Sequence, residues 1–213
     1  MNKEKQIKII YIIGILLFIL FAFYAYSSNV KEYINDSIIL IILLSIIYFL
    51  RKQFNLSSAI FIILILAMAS HDAGVFGFYS NSPIPIQYDH FTHFIGMFAV
   101  SLLIFNLFKK YFSSSKLNNV LILIMVILAS LGIGSLIESI EYLGFLKFGT
   151  GPGLLKFGGL GDTITEETLR DIDLIGGGWI NTMEDLIYNF LGAFLGTILM
   201  YVLNKNASKS KTM

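Results

Sequence analysis

Six apolar stretches alternate with short polar ones along the chain, near residues 9–26, 37–50, 57–76, 91–108, 119–142 and 185–203. None shows the two-residue alternation of a half-buried strand. Each is apolar around its whole circumference and, as a helix, about long enough to cross ~30 Å of hydrocarbon, the second being the shortest. The pattern predicts an all-α polytopic membrane protein of six transmembrane helices, with residues 1–213 forming a single transmembrane domain. The first stretch has an alternative as a signal peptide, because Lys3, Lys5 and Lys8 precede it and Ala25-Tyr26-Ser27 resembles a cleavage site. Its apolar run exceeds the ~7–15 residues of a typical signal-peptide core, which favours an uncleaved span.

Composition agrees with this reading. The residues are 56% hydrophobic and only 14% charged, too few to solvate a globular surface. The charges are sorted along the chain. Eleven of the fifteen Lys and Arg (Lys3, Lys5, Lys8, Arg51, Lys52, Lys109, Lys110, Lys116, Lys205, Lys209 and Lys211) fall on one side of the six alternating spans, accompanied by one acid, Glu4. The positive-inside rule then puts both termini in the cytoplasm of a cell whose plasma (inner) membrane the chain crosses repeatedly. The segments expected outside are 27–36, 69–90 and the long 143–184. The last is glycine-rich, and a Leu-Lys-Phe-Gly echo at 146–149 and 155–158 brackets Gly151-Pro152-Gly153. A loop of that length is expected as a lid or as an interfacial hairpin.

Titratable groups gather where spans meet the outer boundary. His71 and Asp72 end the third span; Asp89, His90 and His93 open the fourth; Glu138 and Glu141 close the fifth; Glu184, Asp185 and Asn189 open the sixth. Asp89 and His93 are i,i+4, Glu138 and Glu141 i,i+3, and Asp185 and Asn189 i,i+4, so three helices each present a polar pair on one face. Ionisable groups at membrane depth are costly and usually face a bundle interior. If the faces converge, they form an extracytoplasmic acidic pocket with an imidazole. Such a set suits a divalent metal, zinc or manganese, on His93, Asp89, Glu138, Glu141 and His71, or a general acid/base set without metal.

Structural explanations compete at each position. Asp89 is expected as an N-cap after Pro83 and Pro85, His90 as an interfacial residue facing away from His93, and Thr182 as an N-cap with Asp185 closing a capping box. His71-Asp72 could simply mark a helix leaving the membrane. Asn189 lies beside Gly192 and Gly196, a small-residue pattern for close helix packing, and could serve as an interhelical hydrogen bond. Trp179 reads as an interfacial anchor. Mid-span charges, a Walker loop, a serine-hydrolase elbow, HExxH and cysteine are all absent from the sequence, which disfavours a proton relay and thiolate chemistry.

The run Tyr88-Asp89-His90-Phe91-Thr92-His93-Phe94 with Gly96, the element Glu138-Ser139-Ile140-Glu141, and Asp185 to Gly192 with Gly196 together resemble three elements of VanZ-like membrane proteins. They are similar, more closely, to YjdF-type bacterial inner-membrane proteins, which also carry a His near Gly before this core and a Gly-Asp in the long loop, here His71, Gly74, Gly161 and Asp162. The likeness covers residues 57–203. It implies a shared outer polar core and, through the VanZ group, an association with glycopeptide resistance, but no reaction.

The expectation from sequence is therefore an outward pocket of Asp89, His93, Glu138, Glu141, Asp185 and Asn189. It would hold a divalent metal and hydrolyse or transfer a group on the head of a lipid or lipid-linked envelope precursor. Membrane lipids are the expected partners, and no nucleic acid is. A non-enzymatic binding or scaffold protein and a small-solute transporter are the alternatives.

Overall fold

The computed structural model describes residues 2–109, 119–148 and 177–209, and it is helical with no strands among them. Six helices run in order: α1 (Lys3–Ser27), α2 (Ile34–Phe49), α3 (Ser58–Ala73), α4 (Tyr88–Phe108), α5 (Asn119–Phe148) and α6 (Gly177–Lys209). Five are long and apolar enough to cross a membrane, α3 when it is continued through the helical turn Gly74–Phe78. The exception is α2, whose 16 residues span ~24 Å as a helix and are led in by a 3₁₀ turn at Lys31–Tyr33. The protein is a polytopic helical membrane protein.

Helix starts follow capping chemistry in two cases. Asn2 accepts from the Glu4 amide at 3.2 Å to open α1, and Ser57 accepts from the Ile60 amide at 3.3 Å to open α3. The expected cap at Asp89 is not formed. Gln87 occupies the N-cap of α4, and Asp89 lies within the first turn, where a carboxylate still suits the helix dipole. The capping box at Thr182 is also overturned, because α6 is already helical from Gly177 and the amides there have carbonyls one turn earlier. At its other end the 143–184 segment is helical as well, since α5 continues to Phe148. Leu146-Lys147-Phe148 of the echo end α5, whereas Gly149, the second copy at 155–158, Gly161, Asp162 and the lid they suggested lie outside the described residues, as does the Trp179 side chain.

Alternating direction gives the bundle two chemically different ends. At one, Lys52 Nζ lies 3.9 Å from Glu4 Oε1, Ser58 donates to Gln6 at 3.4 Å, and the Asn106 amide donates to the Asn55 carbonyl at 3.2 Å. These contacts bring together the start of α1, the α2–α3 turn and the end of α4, where the basic residues cluster. The opposite end collects the acids.

The core is built first from α1 to α4, around the fully buried Phe18, Leu44, Phe61 and Leu102; a smaller cluster of Ile104, Phe105 and Val126 joins α4 to α5. The most extensive helix pair is α4 with α6, which run parallel. Gly192 and Gly196 make this possible: a Cβ at Gly192 would collide with the Phe94 carbonyl oxygen, and one at Gly196 with Ser101 Oγ. The small-residue pattern of the sequence is thus used for close packing.

Candidate functional site

His93 sits one turn inside α4, and its largely buried imidazole is the centre of the acidic end. Nε2 faces two carboxylates: Asp89 Oδ1 at 3.6 Å, from one turn earlier on the same helix, and Asp185 Oδ1 at 3.8 Å, from α6. Nδ1 faces two other acceptors: Asn189 Oδ1 at 3.3 Å, from α6, and Glu138 Oε1 at 3.4 Å, from α5. The i,i+4 and parallel-helix relations seen in the sequence thus converge on one ring. Asp185 and Asn189 are only 2% and 1% exposed, and Glu138 is buried with them. Gly134 of α5 gives Asn189 its room, because a Cβ there would lie 2.9 Å from Nδ2.

The acceptors outnumber the donors. An imidazole carries two N–H groups at most, against four oxygens within 3.8 Å of its nitrogens. Neither carboxylate oxygen of Glu138, nor Nδ2 of Asn189, has a hydrogen-bond partner among the described residues, although all three atoms are buried. Buried polar atoms are ordinarily satisfied, so orphans in this number need an explanation in strain, a catalytic role, or a bound water or ion.

Two sets of ligand atoms here have separations a single cation can span: Asp89, His93 and Asp185, and His93, Glu138 and Glu141, each within 4.8 Å of one another. In a tetrahedral zinc site with bonds of ~2.0 Å, neighbouring ligand atoms lie about 3.3 Å apart. The distances of 3.6 and 3.8 Å around Nε2 need only small side-chain adjustments to reach that.

The other sequence candidates are placed differently. His71 is in neither set. Its Nδ1 lies 3.0 Å from the Tyr79 hydroxyl, which also approaches Thr92 Oγ1 at 3.4 Å. Tyr79 follows a widened helical turn, Gly74–Phe78, broken at Gly77 with φ 134°, a conformation that glycine adopts readily. The Tyr79 ring then folds back over Gly74, where any Cβ would strike it. Burial above all, and then the nearby Asp89 carboxylate, pushes the Tyr79 hydroxyl well above its ordinary value, so it remains a donor. His90 is buried in the bundle, stacked on Tyr188 with centroids 4.3 Å apart, and its Nε2 lies 3.5 Å from Glu184. Asp72 does not leave the bundle either. It is 1% exposed and accepts from Ser37 Oγ of α2 at 3.1 Å. Tyr79 and Ser37 were missed in the sequence, where only the glycines before Tyr79 hinted at an unusual turn.

A cavity of about 490 Å³ leads away from the cluster, within the ~300–1,000 Å³ range of ligand pockets. Its polar end is formed by His71, Tyr79, Asp89, His93, Glu141 and Asn189; the remainder is almost wholly apolar, walled by α2 and α5 over a floor of α3 and α4.

This arrangement belongs to a chain whose residues 8–206 match a family model described as "Predicted membrane protein (DUF2238)". The chain belongs to the DUF2238 family. The match reaches from the first turns of α1 to the last turns of α6, so it takes in α1 and α2 as well as the 57–203 core expected from the motifs. A DUF2238 protein is thereby a membrane protein by family as well as by helix chemistry. No curated protein and no solved structure matches the chain.

Proposed function

We propose that this DUF2238 protein is a divalent-metal-dependent hydrolase or transferase acting on the head group of a lipid or lipid-linked envelope precursor, at the extracytoplasmic face of the plasma membrane. The observation that carries the reading is the pairing of acceptors around His93, with two carboxylates on Nε2 and two further oxygens on Nδ1. The placement outside the cell rests on the basic residues at the opposite end of the bundle. The likeness of the same three sequence elements to VanZ-like and YjdF-type proteins supports treating them as one functional unit.

Asp89, Asp185 and Nε2 of His93 would hold the cation, leaving coordination positions for water and substrate as catalytic sites do. Glu138 and Asn189 act behind them. Accepting from the Nδ1 proton, Asn189 fixes the tautomer that turns the Nε2 lone pair toward Asp89 and Asp185, with Glu138 Oε1 3.4 Å from the same nitrogen. A divalent cation in that position supplies Lewis-acid chemistry at a phosphoryl or carbonyl oxygen and makes water more acidic. Glu141, which lines the cavity at its polar end, is left to take a proton from the attacking group. Tyr79, still protonated, has its hydroxyl 3.0 Å from His71 Nδ1 and would position that imidazole at the polar end of the cavity.

The test is turnover on vesicles made from a total bacterial lipid extract, with head-group products followed by mass spectrometry. Product that appears with zinc or manganese and stops with a chelator supports the reading. No product under either metal, from protein shown to hold the metal, would turn the account toward a non-enzymatic binding protein.

A further inference from the structure

The chemistry of the cavity names the class of substrate more closely than the cluster does. We infer that the groove between α2 and α5 is an acyl-chain subsite, in which one hydrocarbon chain of a membrane lipid lies with its polar head at His93. This rests on the head-group reading above and adds to it the route of entry, sideways from the bilayer.

Each of four helices lines the groove over about two turns. Leu64 to His71 on α3, His93 to Val100 on α4, Ile133 to Ile140 on α5 and Ile39 to Ile46 on α2 each bound it, which at 1.5 Å per residue makes it about 10 Å deep. The polar groups stand at one end only. A water-soluble substrate would leave most of that wall without complementary contacts, whereas a polar head on an apolar tail meets both parts. The mouth is continuous with the lipid-facing surface: Ile42 and Ile46 on one rim and Leu136 on the other are 54%, 49% and 63% exposed. A space of this kind inside a bilayer is filled by hydrocarbon, because an empty one forfeits the dispersion contacts of its lining.

Gly96 keeps the groove open. It lines the cavity, and a Cβ built there meets nothing within 4 Å. Met97 lines the groove beside it and is 3% exposed, so lipids that merely surround the bundle scarcely reach it.

The experiment uses purified full-length protein in phosphatidylglycerol vesicles doped with the same lipid carrying a diazirine on its acyl chain. After irradiation, labelled residues are mapped by peptide mass spectrometry. Labelling of Met97 is expected, falling at least fivefold in Gly96→Phe and by an intermediate amount in Gly96→Leu. Labelling of the lipid-facing Ile187 and Phe194 on α6 stays unchanged. In the wild type, unlabelled lysophosphatidylglycerol should compete for the Met97 label and glycerol phosphate should not, which keeps the test independent of whether the variants fold. Label confined to surface residues, or Met97 label indifferent to both the variants and the competitor, overturns the inference and leaves the groove to a segment of the chain or another occupant. Metal content is read on the same samples. Gly96→Phe that keeps its metal but loses the Met97 label separates the groove from the metal site, and Met97 label in protein that binds no metal would sink the metal reading alone.

Discussion

The side-chain oxygen of Asn189 lies 3.3 Å from Nδ1 of His93, joining α6 to α4 across 96 residues of sequence. This contact fixes which imidazole nitrogen is available for other work. With Nδ1 occupied by Asn189, Nε2 is the atom aimed at Asp89 and Asp185.

Asn189→Ala should therefore weaken divalent-cation binding without abolishing it. Residues that orient a metal-binding histidine typically cost 10–100-fold in affinity when removed. Zinc titration of the purified variant checks this, and affinity equal to wild type would remove Asn189 from the account.

The two acidic sets around His93 should behave unequally. Asp185→Asn and Asp89→Asn each take a ligand from the Nε2 side and are expected to lose the metal. Glu141→Gln should keep it while lowering turnover by about 10²-fold or more, as expected for a lost proton acceptor. Metal retained in Asp185→Asn but lost in Glu141→Gln would move the cation to the Nδ1 side, among Glu138 and Glu141.

Packing of α6 on α4 should be intolerant of the smallest addition. Gly192→Ala drives a methyl group into the Phe94 carbonyl and is expected to cost about 1–3 kcal/mol. Gly132→Ala on α5, where a Cβ meets nothing, should be neutral or stabilise by up to ~1 kcal/mol. Thermal unfolding in detergent compares the two, and equal behaviour would contradict the close approach of α4 and α6.

Tyr79 gives a pH dependence with a definite sign. Its hydroxyl is held protonated in the folded protein above its ordinary value of 10.0. Below pH 10 both states carry the proton and the shift contributes nothing to the slope. Above it the unfolded chain loses the proton first, so stability falls as pH rises. Unfolding of Tyr79→Phe followed from pH 9 to 11 should decline less steeply than that of the wild type; parallel curves would show Tyr79 to be ordinarily solvated.

The helices and the polar pairs were legible in the sequence because both depend on spacing. Apolar runs long enough for a bilayer announce α1 and α3 to α6, and i,i+3 or i,i+4 pairs place Asp89 with His93 and Asp185 with Asn189 on shared faces. Helix ends were less legible. Thr182 looked like a cap because Ser, Thr and Asp serve that role wherever a helix begins, yet α6 begins at Gly177. The burial of His90 against Tyr188 and the fold-back of Tyr79 onto His71 depend on which helices become neighbours, and no local pattern carries that. The groove was illegible for the same reason: its walls come from α2 and α5, which are far apart in the chain, and its openness comes from a glycine that touches nothing.

The central claim is that His93, Asp89 and Asp185 hold a divalent cation. Metal content of the detergent-purified protein, measured by mass spectrometry beside His93→Ala and Asp185→Asn, tests it most directly. The account predicts about one zinc or manganese per chain in the wild type and its loss in both variants, with helicity and thermal transition preserved. The absence of metal from every sample after incubation with divalent ions, or equal metal in all three, would contradict it.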